Sequence, residues 1–511
     1  MRRTSRPSRM SVISADEGEV LRMFSFARKR RSNVKCQWAN ADDVRAADLS
    51  ADEHNRGGII LGSWRARKGR SDLLQYKGPH HVLVVGPARS GKSAGVTVPT
   101  LLNWDESVVI YDTKGENWAL TSGFRAQRLG QRVLKFDPVA PDSARFNPLL
   151  EVRLDRHMLE DVQSICTLIV DPDGRGLEDH WAKTAFDLLV GVVTFLLLCD
   201  PPEVVPSFER SLATVLAILS DGGPFRAAAV PAGAASEVPR VPLVPADARA
   251  VFSYIRDVAY SKLRSISSTD ACPGDNAEYE ARRVGWRIIA VSMEAWLDKP
   301  ANEAGSVLST ALSFLSLYRD PVVVENTRVS DFSIQSLLES DDKTSLYIAV
   351  SPVECDRCRA LPKMIMDLLI RRRKEKMGQW QSRLLLVIDD LARFGCLDTF
   401  VEGLGWFQHA KVNALVMVQS SHQIIAMNAE AIIHGCAIHV VYEATDPDTA
   451  ERFSARRGIF VEELRRIPAD TAVVFFPFTA PIRCEKVKYY KDPTMVAAVN
   501  YGTSATTGRM S

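Results

Sequence analysis

Residues 81–93 read His-Val-Leu-Val-Val-Gly-Pro-Ala-Arg-Ser-Gly-Lys-Ser, and this stretch constrains the fold more tightly than any other in the chain. An apolar, β-branched run ends at Gly86. The eight residues Gly86–Ser93 fit G-x-x-x-x-G-K-[ST], and the chain from Ala94 onward reads as helix. A strand, a glycine loop and a helix in that order make a phosphate cradle. Gly86 and Gly91 permit the tight loop, and Pro87, Ala88, Arg89 and Ser90 span it. Its backbone N–H groups then converge on an anion, and the helix starting near Lys92 adds the positive end of its dipole. In such a loop the Lys92 ammonium reaches the β- and γ-phosphates of ATP and the Ser93 hydroxyl holds Mg2+.

The same chemistry needs a carboxylate for the metal. Leu384-Leu385-Leu386-Val387-Ile388-Asp389-Asp390 is an apolar run that ends in two acids. A buried strand of this kind aims Asp389 at the Mg2+ shell and leaves Asp390 to orient or activate the attacking water. Two further apolar runs end in a polar residue, at Asp112 and at Gln419. Strand ends face the nucleotide in open α/β sheets. A glutamine amide both donates and accepts, so Gln419 is a candidate γ-phosphate sensor or water-positioning group. The candidate catalytic residues are therefore Lys92, Asp389, Asp390 and Gln419. The nucleotide-binding residues are Gly86 to Ser93, and the Mg2+ ligands are Ser93 and Asp389.

The rest of the chain fits around these segments. At 511 residues it is too long for one ordinary core, and its 46% hydrophobic and 25% charged residues are those of a globular protein. The net charge of +2 gives no global field for a polyanion, so any nucleic-acid site must be a local patch. Residues 1–34 read as a flexible lead carrying Arg2, Arg3, Arg6, Arg9 and Arg28-Lys29-Arg30-Arg31, either a solvated tail or an arm for DNA or a membrane surface. The nine scattered cysteines suggest a reducing compartment, and the lone C-x-x-C at Cys355 and Cys358 is read as structural. The apolar stretch Leu188–Leu198 follows Asp187 and is short for a membrane span, which predicts a buried core helix.

Gly57–Gly62 predicts a hairpin strand. From His81 the chain alternates strand and helix: strand Val82–Val85, helix to about Asn103, strand Ser107–Asp112, helix Glu116–Leu129 and strand Arg132–Asp137. From about 153 to 318 the pattern is helical, as at His180–Leu198 and Ala304–Tyr318, broken by an exposed loop at Pro224–Pro245. Strands resume at Ser345–Val350, Leu384–Asp389, Asn413–Gln419, Ala437–Val441 and Thr471–Phe476, with a last one at Arg483–Tyr489. The expected organisation is an α/β, RecA-like P-loop NTPase with a mainly parallel sheet. Its two parts, 35–152 and 319–495, flank an all-α insertion at 153–318, and 496–511 form a tail.

In this order and spacing, several motifs resemble the type IV secretion coupling proteins of conjugation, P-loop ATPases of the RecA-like, FtsK/HerA-like branch. They are Gly86–Ser93 with Ala94-Gly95-Val96-Thr97-Val98-Pro99, Asp112-Thr113-Lys114-Gly115-Glu116, Phe146-Asn147-Pro148-Leu149, His180-Trp181, Asp389-Asp390 with Leu391-Ala392-Arg393-Phe394-Gly395, Gln419, Ile467-Pro468-Ala469-Asp470 and Pro481-Ile482-Arg483. The resemblance spans about 36–492. It implies a homo-hexameric motor at the cytoplasmic face of the bacterial inner membrane, with ATP and Mg2+ as cofactors. Such a motor passes single-stranded or relaxase-bound DNA, or effector proteins, to the channel of a type IV secretion system.

Three departures stand out. The family's N-terminal transmembrane helices have no counterpart in the basic lead before Cys36, so either the anchor is missing from this sequence or the protein meets the membrane only peripherally or through a partner. The family's Asp-Glu pair is here Asp389-Asp390, with the second carboxylate drawn back by about 1.5 Å; a misplacement of that size costs on the order of a hundredfold in rate. Where the family carries an arginine finger, about eleven positions before the glutamine, this chain has Gln408, with Lys411 and Arg393 as substitutes; such a finger is worth roughly 10³–10⁵ in rate. The alternative to a motor is a non-hydrolysing, ATP-gated receptor or adaptor. A metabolic P-loop kinase fits less well, because the sequence has a long helical insertion and no evident small-molecule lid. Arg282, Arg283 and Arg287 in the insertion read as a solvated face or as phosphate contacts.

Overall fold

The computed structural model describes residues 38–49, 56–65, 71–177, 179–199, 209–222, 247–268, 276–427, 429–444, 446–455 and 459–503. The basic lead at 1–34, the loop at Pro224–Pro245 and the tail from Ser504 lie outside the described residues.

One sheet organises the molecule. Its strands are β1 (Ile59–Arg65), β2 (Ser71–Tyr76), β3 (Val82–Val85), β4 (Ser107–Tyr111), β5 (Arg132–Phe136), β6 (Thr344–Ile348), β7 (Leu384–Ile388), β8 (Val412–Val418), β9 (Ile438–Tyr442), β10 (Thr471–Phe475) and β11 (Ile482–Glu485). They form an 11-stranded sheet in the order β2-β1-β11-β10-β9-β3-β8-β7-β4-β6-β5. From β9 to β5 every pairing is parallel. From β9 outward through β10, β11, β1 and β2 every pairing is antiparallel. The chain is thus an α/β P-loop protein with a parallel centre and an antiparallel wing. The central strands read as unbroken apolar runs because parallel strands are covered on both faces; every residue of β3, β4, β7 and β8 is buried.

Between β5 and β6 the described residues form helices only. The principal ones are Met158–Val170, His180–Leu198, Leu212–Asp221, Ala248–Ser268, Asn276–Leu297 and Ala301–Phe314. The sheet accepts this insertion because β5 and β6 are neighbours, with Phe136 opposite Ile348. The excursion therefore leaves and returns at one edge. Helix His180–Leu198 is long and apolar enough to cross a bilayer, but 67% of its apolar window is buried inside the protein. Its Asp179 cap accepts from Ala182 N. Gly191 lets it close on the helix Asn276–Leu297, since a Cβ there would lie 2.6 Å from Ser292 Cβ. Arg282 and Arg283 pair with Glu278 and Glu280 on their own helix, at 3.3 and 3.6 Å, and Arg287 is exposed.

Several boundaries differ from the sequence reading. The segment after the glycine loop winds first as a wide π-type turn, Ser93–Thr97, and becomes α-helical only over Val98–Asn103. The helix expected at Ala304–Tyr318 runs Ala301–Phe314 and then tightens into a 3₁₀ turn at Ser316–Arg319. The last strand ends at Glu485, short of Tyr489, which opens a 3₁₀ turn. The expected hairpin strand near Gly57–Gly62 is β1, paired with β2 through a bulge between Ile60 and Gly62.

Candidate nucleotide-binding site

Four strands deliver the site to one edge of the sheet. Gly86, Asp112, Asp389 and Gln419 each follow directly on β3, β4, β7 and β8. The register aligns these ends, with Val85 opposite Val418 and Tyr111 opposite Ile388. Because β8 lies between β3 and β7, Gln419 stands between the glycine loop and the paired acids. Gln419 is exposed, and its backbone N–H donates to Gln423 Oε1 at 2.8 Å.

The loop has the backbone it needs. Gly91 sits at φ +88° and Arg89 at φ +62°. A Cβ on Gly91 would meet nothing within 4 Å, so its requirement is conformational, whereas a Cβ on Gly86 would lie 2.7 Å from Tyr442 Cβ and backbone oxygen. Pro87 is half-buried, and Ala88 and Arg89 are exposed on the outer curve. The Lys92 ammonium donates to the carbonyls of Gly86 and Pro87, the latter at 2.9 Å. Burial lowers its pKa to about 8, against the attraction of Asp389 and Asp390.

Asp389 is the hub. Ser93 Oγ donates to its two oxygens at 3.0 and 3.1 Å, Thr97 Oγ1 at 3.0 Å and Asn117 Nδ2 at 3.1 Å. Ser93 and Asp389, the expected Mg2+ ligands, are therefore in direct contact. The hard oxygen donors suit Mg2+. Asp112 is buried beside them. Its Oδ2 accepts from Trp118 N at 2.9 Å, while its Oδ1, Asn117 Oδ1 and Ser90 Oγ have no hydrogen-bond partner. Burial, with Asp389 nearby, raises the Asp112 carboxyl to about 6. Buried polar atoms left without protein partners fit a hydrated cation and phosphate oxygens. Asp390 caps the short helix Leu391–Phe394, accepting from Arg393 N at 3.4 Å, and burial raises its pKa.

The two finger candidates, Arg393 and Lys411, separate clearly. Arg393 lies at the nucleotide end of β7 and donates to Pro352 O at 3.1 Å. Gln408 and Lys411 precede β8, at the opposite end of the sheet from the loop, where Lys411 Nζ donates to Gln381 O at 3.0 Å. Seven strand residues separate them from Gln419, roughly 20 Å. Cys355 and Cys358 are both buried; the Tyr111 hydroxyl donates to Cys355 Sγ at 3.5 Å.

Thr97 and Asn117 did not stand out in the sequence. The sole sign of Thr97 was its place one turn after Ser93, and of Asn117 its place one residue after Asp112-Thr113-Lys114-Gly115-Glu116. A buried Arg125 steadies this floor. It donates to the carbonyls of Leu101, Trp104 and Glu106 at 2.5, 2.7 and 2.9 Å and so satisfies the end of the helix behind the loop.

Comparison with known proteins identifies the family and the fold. The model of the family described as Type IV secretory system Conjugative DNA transfer matches residues 37–220, 279–460 and 456–511. A conjugal transfer protein TraG of Escherichia coli is 33% identical over 480 residues, covering 88% of this chain and 68% of that protein. A second E. coli TraG is 32% identical over 451 residues, covering 83% and 64%. The chain thus spans about two thirds of the length of these relatives. A structure of the plasmid coupling protein TrwB in complex with ADP and Mg2+ has the same fold, with a TM-score of 0.58 at 17% identity over 89% of this chain and 94% of that one.

Proposed function

The chain belongs to the type IV secretory conjugative DNA transfer family, and on that premise we propose that it is an ATP-hydrolysing coupling protein. It recruits DNA, bare or relaxase-bound, or effector proteins, and drives them into a secretion channel. It works as a homo-hexamer at the cytoplasmic face of the inner membrane. The observation that carries the reading is the contact between Ser93 and Asp389, 296 residues apart in sequence and 3.0 Å apart in space. A glycine loop alone holds phosphate; a loop joined to a strand-end carboxylate also holds the metal.

In this reading Gly86–Ser93 hold the phosphates of ATP through backbone N–H groups, and Lys92 exchanges its carbonyl partners for phosphate oxygens. Ser93 and Asp389 hold Mg2+, whose contribution is to neutralise phosphate charge. Thr97 and Asn117 fix the rotamer of Asp389, and the buried Asp112 Oδ1 would accept a hydrogen bond from water held in the site. Asp390 and Gln419 flank the position of the attacking water. Both the TraG relatives and the TrwB structures, by their names, belong to conjugal transfer and plasmid coupling, which supports DNA as cargo here.

A second reading, an ATP-gated receptor without turnover, is favoured by one observation. The Asp390 carboxylate is engaged as a helix cap on Arg393 N and is one methylene shorter than the family's glutamate. Steady-state ATPase activity with and without single-stranded DNA, alongside Lys92→Ala and Asp390→Glu, separates the two. DNA-stimulated turnover that vanishes in Lys92→Ala supports the motor. ATP binding without turnover, with turnover gained in Asp390→Glu, supports the receptor.

A further inference from the structure

The glycine loop is held from outside by a residue far from it in sequence. Lys486, directly after β11, is almost fully buried, with its side chain 5% exposed. Its ammonium donates to the Ser90 carbonyl at 3.1 Å and to Glu443 Oε1 at 2.6 Å, and it lies 4.5 Å from the centre of the Tyr442 ring. Its backbone N–H donates to Asp470 O at 2.8 Å, which ties it to the start of β10. Glu443 follows β9 at φ +46°, a left-handed conformation for a non-glycine residue. The same strands brace both ends of the loop. A Cβ on Gly86 would strike Tyr442, and one on Gly95 would lie 2.6 Å from Tyr442 Oη and 3.0 Å from Val487 O.

The Ser90–Gly91 peptide is trans, as are all peptides among the described residues. In a planar trans peptide the carbonyl and the following N–H point in opposite directions. Fixing the Ser90 oxygen therefore fixes the direction of the Gly91 N–H. Glycine at φ +88° has no side chain to resist a flip of that peptide. A phosphate cradle works only when its N–H groups converge before the anion arrives.

We propose that Lys486 is a positioning residue for the phosphate cradle. It sets the Ser90–Gly91 peptide from behind and makes the loop's affinity for nucleoside di- and triphosphates depend on the antiparallel wing, β10 and β11. Glu443 aligns the ammonium, and Tyr442 shields the pair. The proposal deepens the reading of Gly86–Ser93 as a nucleotide site and rests on it.

The test is equilibrium binding of ADP and ATP to the full chain, with Lys486→Met, Lys486→Arg and Lys486→Gln beside wild type and Lys92→Ala. A lost hydrogen bond from a charged group is worth on the order of tenfold or more in affinity. Lys486→Met should therefore weaken ADP and ATP equally by about tenfold. Turnover should fall through KM, with kcat within about twofold. Hydrogen exchange across residues 86–93 should quicken in the nucleotide-free protein. Lys486→Arg, whose guanidinium also reaches Ser90 O and Glu443, should bind within about threefold of wild type. Wild-type affinity in a folded Lys486→Met overturns the proposal, as does equal loss in the Arg variant. If Lys486→Met does not fold, Lys486→Gln keeps a neutral donor and decides: wild-type affinity there overturns the proposal and intermediate affinity supports it. Wild-type protein that binds no ATP overturns the nucleotide reading as well. Wild type that binds and Lys92→Ala that does not, with Lys486→Met unaffected, overturns this inference alone.

Discussion

Asn117→Asp is the sharpest perturbation of the site that leaves side-chain size untouched. Asn117 donates to Asp389 Oδ2 at 3.1 Å and is fully buried. A second carboxylate at that distance repels Asp389 by about 5 kcal/mol at an effective dielectric constant near 20. The protein has a cheaper recourse. One of the pair takes up a proton, which at pH 7 costs about 4 kcal/mol for a carboxyl of ordinary pKa near 3.9. The protonated form then donates to its partner as the amide did. The new group's folded pKa is raised, so stability is intact below pH 4 and is lost as pH rises above it. Urea unfolding should show Asn117→Asp destabilised by about 4 kcal/mol at pH 7 and by about 1.5 kcal/mol at pH 5. Asn117→Ala loses only a hydrogen bond to a charge, so its cost of about 1.5–3 kcal/mol should be the same at pH 5 and pH 7. Equal, pH-independent losses in the two variants would refute the contact between Asn117 and Asp389.

Other outcomes follow from the same contacts. His81 is buried, its Nδ1 accepting from Ala414 N and its Nε2 at 3.2 Å from Leu404 O, and burial lowers its pKa to about 4. The folded state therefore resists protonating it. About 3 kcal/mol of stability should be lost as pH falls from 6.5 to 4, and the wild-type minus His81→Asn difference in unfolding free energy isolates that loss. Gly86→Ala forces a Cβ to 2.7 Å from the Tyr442 backbone oxygen; it should cost about 1–3 kcal/mol in stability and weaken ATP binding by at least tenfold, both measurable by denaturation and titration. Lys411 lies at the far end of the sheet from its own loop. Lys411→Ala should keep wild-type ATP affinity, and a turnover loss should be partly restored on mixing with Lys92→Ala subunits, which an ATPase assay of mixtures reads directly.

What the sequence made legible is what depends on local pattern. Strands β3, β4, β7 and β8 announce themselves because burial on both faces makes them continuous apolar runs, and each functional residue sits at the run's end. The insertion was legible as a change from short apolar runs to apolar residues at three-to-four spacing. The strand order was not, because β6 lies beside β5 across the whole length of the insertion in sequence. Thr97 and Asn117 were illegible for a related reason. Their role exists only because three elements meet at Asp389, and neither residue type is unusual in a helix's first turns. The π-type turn at Ser93–Thr97 has no pattern of its own, yet it carries Thr97 onto the carboxylate. Lys486 is the extreme case, a lone lysine after a short strand whose meaning appears only where it touches Ser90. The identities of the finger candidates were readable, but their separation to opposite ends of the sheet came only from the fold.

The central claim is that the glycine loop and the β7 carboxylate form one Mg2+-dependent nucleotide site. Its most direct test is equilibrium binding of a fluorescent ATP analogue, with and without Mg2+, to wild type, Lys92→Ala and Asp389→Ala. The structure predicts binding that Mg2+ tightens in wild type, loss of about a hundredfold in Lys92→Ala, and residual binding indifferent to Mg2+ in Asp389→Ala. Equal affinity and equal Mg2+ dependence in all three proteins would contradict it.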